Sequence, residues 1–217
     1  MILISLLASL ANILAPIQPK VIYFDFGGVM ASPDRQMQLA YLVEKLGFPA
    51  ESLQDSPYFR WMQLHPSEID YLTQKALEYQ ILLTPERLEE YRKVKRNSIH
   101  EIPGMLELVK HLRQMHYEVD LITNIRPENL DLIEPFRNMF DHIVHCPKDP
   151  GERQEAWEME WMQHGFNPSQ LMLIDDQEAN VDEAQKLGIQ AIQFETVDAI
   201  LKELVNRGIL SEQLEFF

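Results

Sequence analysis

The chain has a single cysteine among its 217 residues, Cys146, so an intramolecular disulfide and a cluster of thiolate metal ligands are both excluded. A reactive thiol needs an activating base, and nothing in the sequence around Cys146 supplies one; it reads as a small buried core residue. Basic residues are also scarce, with 19 Lys and Arg against 34 Asp and Glu and a formal net charge of −15. That balance argues against a nucleic-acid partner, whose phosphate backbone demands a basic surface. Small phosphate substrates stay open, because a bound cation with one or two basic groups reverses the local field. The surplus acid otherwise serves solubility. Long hydrophobic runs are missing as well: MILISLLASLANILAP at residues 1–16 is apolar and uncharged, but shorter than the ~20 residues that cross a bilayer. No Lys or Arg precedes it, as a signal peptide would require, although Ser9 and Ala11 are small residues of the kind found before a cleavage point. Residues 1–19 are therefore set apart with two readings. One is an N-terminal helix docked on the core or on a second subunit, in a cytoplasmic protein with no stable membrane span. The other is a signal peptide and export.

What is present suits a soluble globular chain: 46% hydrophobic and 24% charged residues, without internal repeats, low-complexity tracts or long linkers. VIYFDFGGVM, at Val21 to Met30, is an apolar strand that closes on Asp25 and then on paired glycines. Two later strands close in the same manner, VDLITN on Thr123 and Asn124, and LMLIDD on Asp175 and Asp176. HIVHC and AIQF add two shorter strands, and helical stretches alternate with all five. Alternation of this kind implies a parallel sheet with right-handed crossovers. The expected fold is α/β, a Rossmann-like doubly wound sheet whose strand ends share one edge and its crevice. Residues far apart in sequence should converge there.

Between the first and second of these strands lie ~95 residues, too many for one crossover. Arg35 to Leu46 is helical in period and stops at Gly47. SEID at Ser67 is a capping-box pattern, and Thr84 followed by Pro85 is an N-cap with proline at the first helical position. An inserted α-helical subdomain is expected over 33–99, with the core formed by 20–32 and 100–217. Tyr58, Phe59, Arg60, Trp61 and Met62 read as packing within the insertion, or as a surface facing a substrate. Trp157 and Trp161 are four residues apart and share one helix face. The seven histidines read as non-ligands: His111 and His116 miss the helical i, i+4 spacing, His142 and His145 flank a short strand, and His65 and His100 fall in the insertion.

From about Lys20 onward, the ordered set DFGG, LITN, CPKDP and LIDDQEANVDEAQKLGI resembles the haloacid dehalogenase (HAD)-like hydrolase superfamily. Members are mostly magnesium-dependent phosphatases, and the all-helical insertion resembles the family's first cap type, a small bundle closing over the active site. The resemblance implies that Asp25 attacks phosphorus to form an aspartyl-phosphate and also coordinates Mg²⁺. It implies that Gly27 supplies a backbone carbonyl ligand and that Asp175 binds the metal, with Asp176 just outside the ligand set. Thr123 and Asn124 would hold the transferring phosphoryl oxygens. Lys148, in CPKDPGERQEAW, would neutralise nucleophile and phosphate, although an ungapped count back from Gly165 lands on Gly151; Arg153 is a second cation for that role, and no catalytic lysine is the remaining alternative. Most family phosphatases have an acid–base aspartate where this chain has Gly27. Certain sugar-phosphate phosphatases, with DLGN at the comparable position, resemble this chain in lacking it. The retained acid pair favours phosphoryl transfer over dehalogenation, which needs no metal. The expected function is Mg²⁺-dependent hydrolysis of a small phosphorylated metabolite. The alternatives are a degenerate member that binds a phosphorylated ligand or a protein, and a phosphotransferase or mutase.

Overall fold

The computed structural model describes residues 17–53, 67–147 and 150–211, except for the side chain of Pro150. The apolar stretch 1–16, the residues from Tyr58 to Met62, His65 and Lys148 lie outside the described residues. In chain order the strands are β1 (Val21–Asp25), β2 (Ala31–Pro33), β3 (Ile99–Glu101), β4 (Glu118–Thr123), β5 (Ile143–His145), β6 (Leu171–Asp175) and β7 (Gln190–Gln193). The helices are α1 (Arg35–Tyr41), α2 (Ala50–Leu53), α3 (Glu68–Glu78), α4 (Pro85–Asn97), α5 (Met105–Gln114), α6 (Pro150–His164), α7 (Glu178–Lys186) and α8 (Val197–Asn206). None of the described helices is long and apolar enough to cross a membrane.

Two compact units divide the chain: residues 1–29, 103–123 and 139–217 form the first, and 30–102 with 124–138 form the second. The first contains a five-stranded sheet in the order β5-β4-β1-β6-β7, parallel throughout. This is the doubly wound α/β arrangement that the alternating pattern predicts. Strand β1 sits at its centre with Val21 to Phe24 fully buried, which is why it reads as a continuous apolar run rather than an alternating one. One face of the sheet packs Val21, Tyr23, Ile122 and Leu173 against Trp157, Val181 and Ala184. Trp157 meets Tyr23 edge-on, with ring centroids 5.1 Å apart. Trp161 packs against the same cluster, so the two tryptophans share the packing face their spacing predicts. Cys146 belongs to this core, and burial pushes its thiol up to about 12.

The described residues of the second unit are helical apart from one short ribbon. α1 runs into a wider π-type turn over Leu42–Leu46 and ends at Gly47, whose φ of 87° is the left-handed stop expected there. The Ser67 hydroxyl accepts the Asp70 N–H at 3.2 Å to start α3, and Thr84 accepts the Arg87 N–H at 3.4 Å to start α4. Leu42, Leu46, Phe48, Leu53, Tyr71, Leu72, Ala76 and Tyr91 make its core. A polar network is buried with them: Lys95 pairs with Glu68, the Tyr91 hydroxyl donates to Glu68 at 2.9 Å, and Lys95 donates to Asn129 at 3.0 Å. Strands β2 and β3 pair antiparallel at the two ends of the long insertion. The sequence reading has no such ribbon, because three residues with a proline give too little pattern to identify a strand.

Candidate active site

The carboxyl ends of β1, β4 and β6 lie side by side. Asp25 is opposite Ile122 of β4, and Phe24 is opposite Ile174 of β6, so Asp25, Thr123 and Asp175 are all terminal residues at one edge. Oxygen atoms of Asp25, Asp175 and Asp176 lie within 4.8 Å of one another. The three carboxylates predicted from strand ends therefore converge.

Their electrostatics follow from that crowding. Burial raises the Asp25 carboxyl well above the usual range, and the charge of Asp175 pushes it further the same way. A backbone N–H of Phe26 and the Arg153 charge oppose these effects only in part. Asp175 is 4% exposed, and burial raises it too, against hydrogen bonds that favour its charged form. Asp175 Oδ1 accepts the Gln177 N–H at 2.8 Å, and the Asn180 side-chain amide donates to both oxygens at 3.0 and 2.9 Å. The Gln177 amide donates to Asp176 Oδ2 at 2.5 Å, while the buried Asp176 Oδ1 has no partner among the described residues. An all-oxygen set, crowded, acidic and with one orphaned oxygen, fits a hard divalent cation of the Mg²⁺ type.

The two glycines after Asp25 have different roles. At Gly28 the backbone φ is +89°, and an added Cβ would lie 2.6 Å from Asp176 Oδ2, so only glycine lets this turn meet the acid pair. At Gly27 an added Cβ meets no described atom within 4 Å. Among the described residues, position 27 therefore has room for a side chain.

Thr123 is buried at the end of β4, and its carbonyl accepts the Cys146 N–H at 2.9 Å. Asn124 follows it, exposed, and is grouped with the second unit. Lys148 lies outside the described residues. Arg153, in the first turn of α6, is well placed electrostatically: its charge lowers both Asp25 and Asp175. Its guanidinium donates to Asn180 Oδ1 and to Glu183, each at 2.7 Å, and its Nε donates to the Pro147 carbonyl at 3.1 Å. Asn180 consequently links Arg153 to Asp175. The cap residue of α7 is Gln177, so Asn180, in the first turn, supports the loop instead of capping the helix. The signal available was the fixed spacing of Asn180 from Asp175, five residues on, at the start of a helix.

Comparison with known proteins places these features. Residues 22–194 match the model of the haloacid dehalogenase-like hydrolase family. Over 127 residues the chain is 28% identical to flavin mononucleotide hydrolase 1 of the Arabidopsis thaliana chloroplast, covering 56% of this chain and 51% of that protein. The chain thus spans about half the length of this curated relative. A HAD family enzyme from Bacteroides thetaiotaomicron, crystallised with magnesium and inorganic phosphate, superposes with a TM-score of 0.62 at 18% identity, over 82% of this chain and 96% of that one. A β-phosphoglucomutase-type protein from Thermotoga maritima gives 0.56 at 17% identity, over 84% and 90%. A dehalogenase structure gives 0.60 at 16% identity, over 90% and 98%. At these identities the structural matches establish the fold.

Proposed function

Because this chain belongs to the haloacid dehalogenase-like hydrolase family, we propose that its carboxylate edge hydrolyses a small phosphomonoester with Mg²⁺ bound. The observation that carries this reading is the convergence of Asp25, Asp175 and Asp176 within 4.8 Å, in surroundings that disfavour three uncompensated charges. Asp25, Asp175 and the Gly27 carbonyl would hold the ion, with Asp176 supporting from beside it. When bound, Mg²⁺ supplies charge neutralisation for the carboxylates and for the phosphoryl oxygens.

The chain's own residues then have distinct tasks. Asp25 attacks phosphorus in line; a carboxylate oxygen–phosphorus bond forms as the bond to the leaving alkoxide breaks. Water next attacks the aspartyl-phosphate, releasing inorganic phosphate and restoring the Asp25 carboxylate. Thr123 and Asn124 hold phosphoryl oxygens through a hydroxyl and backbone N–H groups. Lys148 would neutralise nucleophile and phosphate, and Arg153, held by Asn180, adds positive potential at Asp25 and Asp175. Asn180 donates to both oxygens of Asp175, which favours its charged form against burial and orients it. The flavin mononucleotide hydrolase relative supports a phosphomonoester as the substrate class, and the magnesium- and phosphate-bound Bacteroides structure supports the ion.

One observation favours a second reading. Gly27 has no side chain to protonate the leaving group, which suits a member that binds a phosphorylated ligand without turning it over. The test is Asp25→Asn, with folding checked by circular dichroism. Phosphate release should fall by about 10³-fold or more while ligand-dependent thermal stabilisation remains. Full turnover in that variant would refute the mechanism, and stabilisation by Mg²⁺ without turnover in the unaltered protein would establish the binding reading.

A further inference from the structure

The opposite half of the same sheet carries a second group of acids, and histidines join it. Glu118 and Asp120 are two residues apart on β4, level with Val21 and Tyr23 of β1, whereas Asp25 is level with Ile122. They therefore share a strand face near the edge away from the carboxylate centre. His164, the last residue of α6, brings a ring nitrogen to them: ligand atoms of Glu118, Asp120 and His164 all lie within 4.8 Å of one another. The His164 ring is held in place by stacking on Phe166, with centroids 5.6 Å apart and planes 10° from parallel.

Asp120 makes this arrangement chemically demanding. Its residue is 0% exposed, Oδ1 accepts the His142 N–H at 3.0 Å, and Oδ2 has no hydrogen-bond partner among the described residues. A buried carboxylate oxygen without a donor is costly, and a nearby cation would remove that cost. No Lys or Arg pairs with Glu118, Asp120 or Glu160 among the described residues; the basic groups beside Glu118 and Glu160 are histidines.

The spacings suit a metal better than hydrogen bonds. His164 Nδ1 is 3.7 Å and His142 Nε2 is 3.5 Å from Glu118 Oε1, beyond ordinary N–H···O reach. Two ligands of one tetrahedral ion with bonds near 2.05 Å lie about 3.3 Å apart, close to these separations. Glu160, 3.8 Å from His164 Nε2, is already engaged in accepting the Tyr23 hydroxyl at 3.0 Å. A cavity of about 340 Å³ beside it, lined by His142, His145, Ala156, Met159, Glu160 and His164, offers entry.

We propose that Glu118, Asp120 and His164, with His142 as fourth ligand, form a binding site for a divalent transition metal of the zinc type, clipping β4 to the end of α6. Mixed imidazole and carboxylate donors suit Zn²⁺ or Co²⁺, in contrast with the all-oxygen set at the other edge. Glu118, Asp120 and His164 form the mutually close set, and His142, whose Nε2 is 3.5 Å from Glu118 Oε1, would close it and give the ion a structural role rather than a catalytic one. The histidines are thus ligands here despite their unpromising sequence spacing, because the set is assembled from a strand, a strand entry and a helix end.

The test uses the full chain stripped with chelator and titrated with Co²⁺, whose visible absorption reports nitrogen- and oxygen-ligated tetrahedral sites. Asp175→Asn, which disables the carboxylate centre, should keep one equivalent of Co²⁺ and its spectrum. His164→Ala should lose both, with affinity weakened roughly 100-fold or more. Since a variant can fail to fold, the unaltered protein is also followed by long-range ¹H–¹⁵N correlation of its imidazoles during Zn²⁺ addition. A saturable shift of a His164 ring nitrogen at one equivalent is expected. Unmoved His164 resonances, or Co²⁺ binding that survives His164→Ala and vanishes in Asp175→Asn, would overturn the proposal.

Discussion

Gly27 is the residue at which the proposed hydrolysis and the binding reading diverge. The absent side chain was readable in DFGG, but its consequence was not, because sequence cannot say whether the backbone there is crowded. It is open, and the neighbouring Gly28 is the crowded one. Gly27→Asp should therefore fold and supply the missing acid–base group. Its turnover of poor leaving groups should rise by at least about tenfold, toward the ~10²–10⁴-fold that such groups typically contribute. Unchanged or lower turnover in the folded variant would show that this site works without that help for another reason. Cys146 gives a second prediction at this scale. Burial raises its pKa, so the folded protein keeps the neutral thiol throughout pH 7–10, and the thiolate appears only as pH approaches about 12. Iodoacetamide labelling of the folded chain should show no thiolate inflection over that range, whereas the unfolded chain should show one near about 8.5. An inflection near that value in the folded protein would mean that Cys146 is accessible and ionisable.

Elements explain what was legible and what was not. The apolar runs of β1, β4 and β6 end in Asp25, Thr123 and Asp175, and a parallel sheet must gather such ends on one edge. That part of the site needed no side-chain geometry. In the bridge from Arg153 through Asn180 to Asp175, the Asn180–Asp175 step is local, but no local spacing encodes the arrival of Arg153 from α6. Nor does any spacing encode the group of Glu118, Asp120 and His164, which joins β4 to the end of α6. Within the second unit, helix starts were readable from Ser67 and Thr84, since a cap is a contact between near neighbours. The ion pair that ties α3 to α4 was not. Lys95 and Glu68 are 8% and 4% exposed, so removing one partner strands a buried charge. Lys95→Met should cost ~3–5 kcal/mol in denaturant unfolding, and Glu68→Met combined with it should recover most of that loss. A single-variant cost below about 1 kcal/mol would place the pair in contact with solvent, in the range of surface ion pairs.

At the scale of the molecule, an acidic chain with net charge −15 carries a site expected to take an anionic substrate. The two facts are reconciled locally in the proposed site: the three carboxylates would gather a hard cation, and Arg153 keeps positive potential next to them. Family membership follows from a match over residues 22–194, and the five-stranded parallel sheet supplies the architecture that the ordered motifs imply. Which substrate the proposed reaction would take is not written in those motifs, because they would specify only its phosphoryl end. The most direct test of the central claim is phosphate release from a panel of phosphomonoesters, including flavin mononucleotide and sugar phosphates, with Mg²⁺ and with EDTA. The account predicts turnover of at least one substrate with Mg²⁺ and its loss with EDTA. Undiminished turnover in EDTA, or none from any substrate with Mg²⁺, would contradict it.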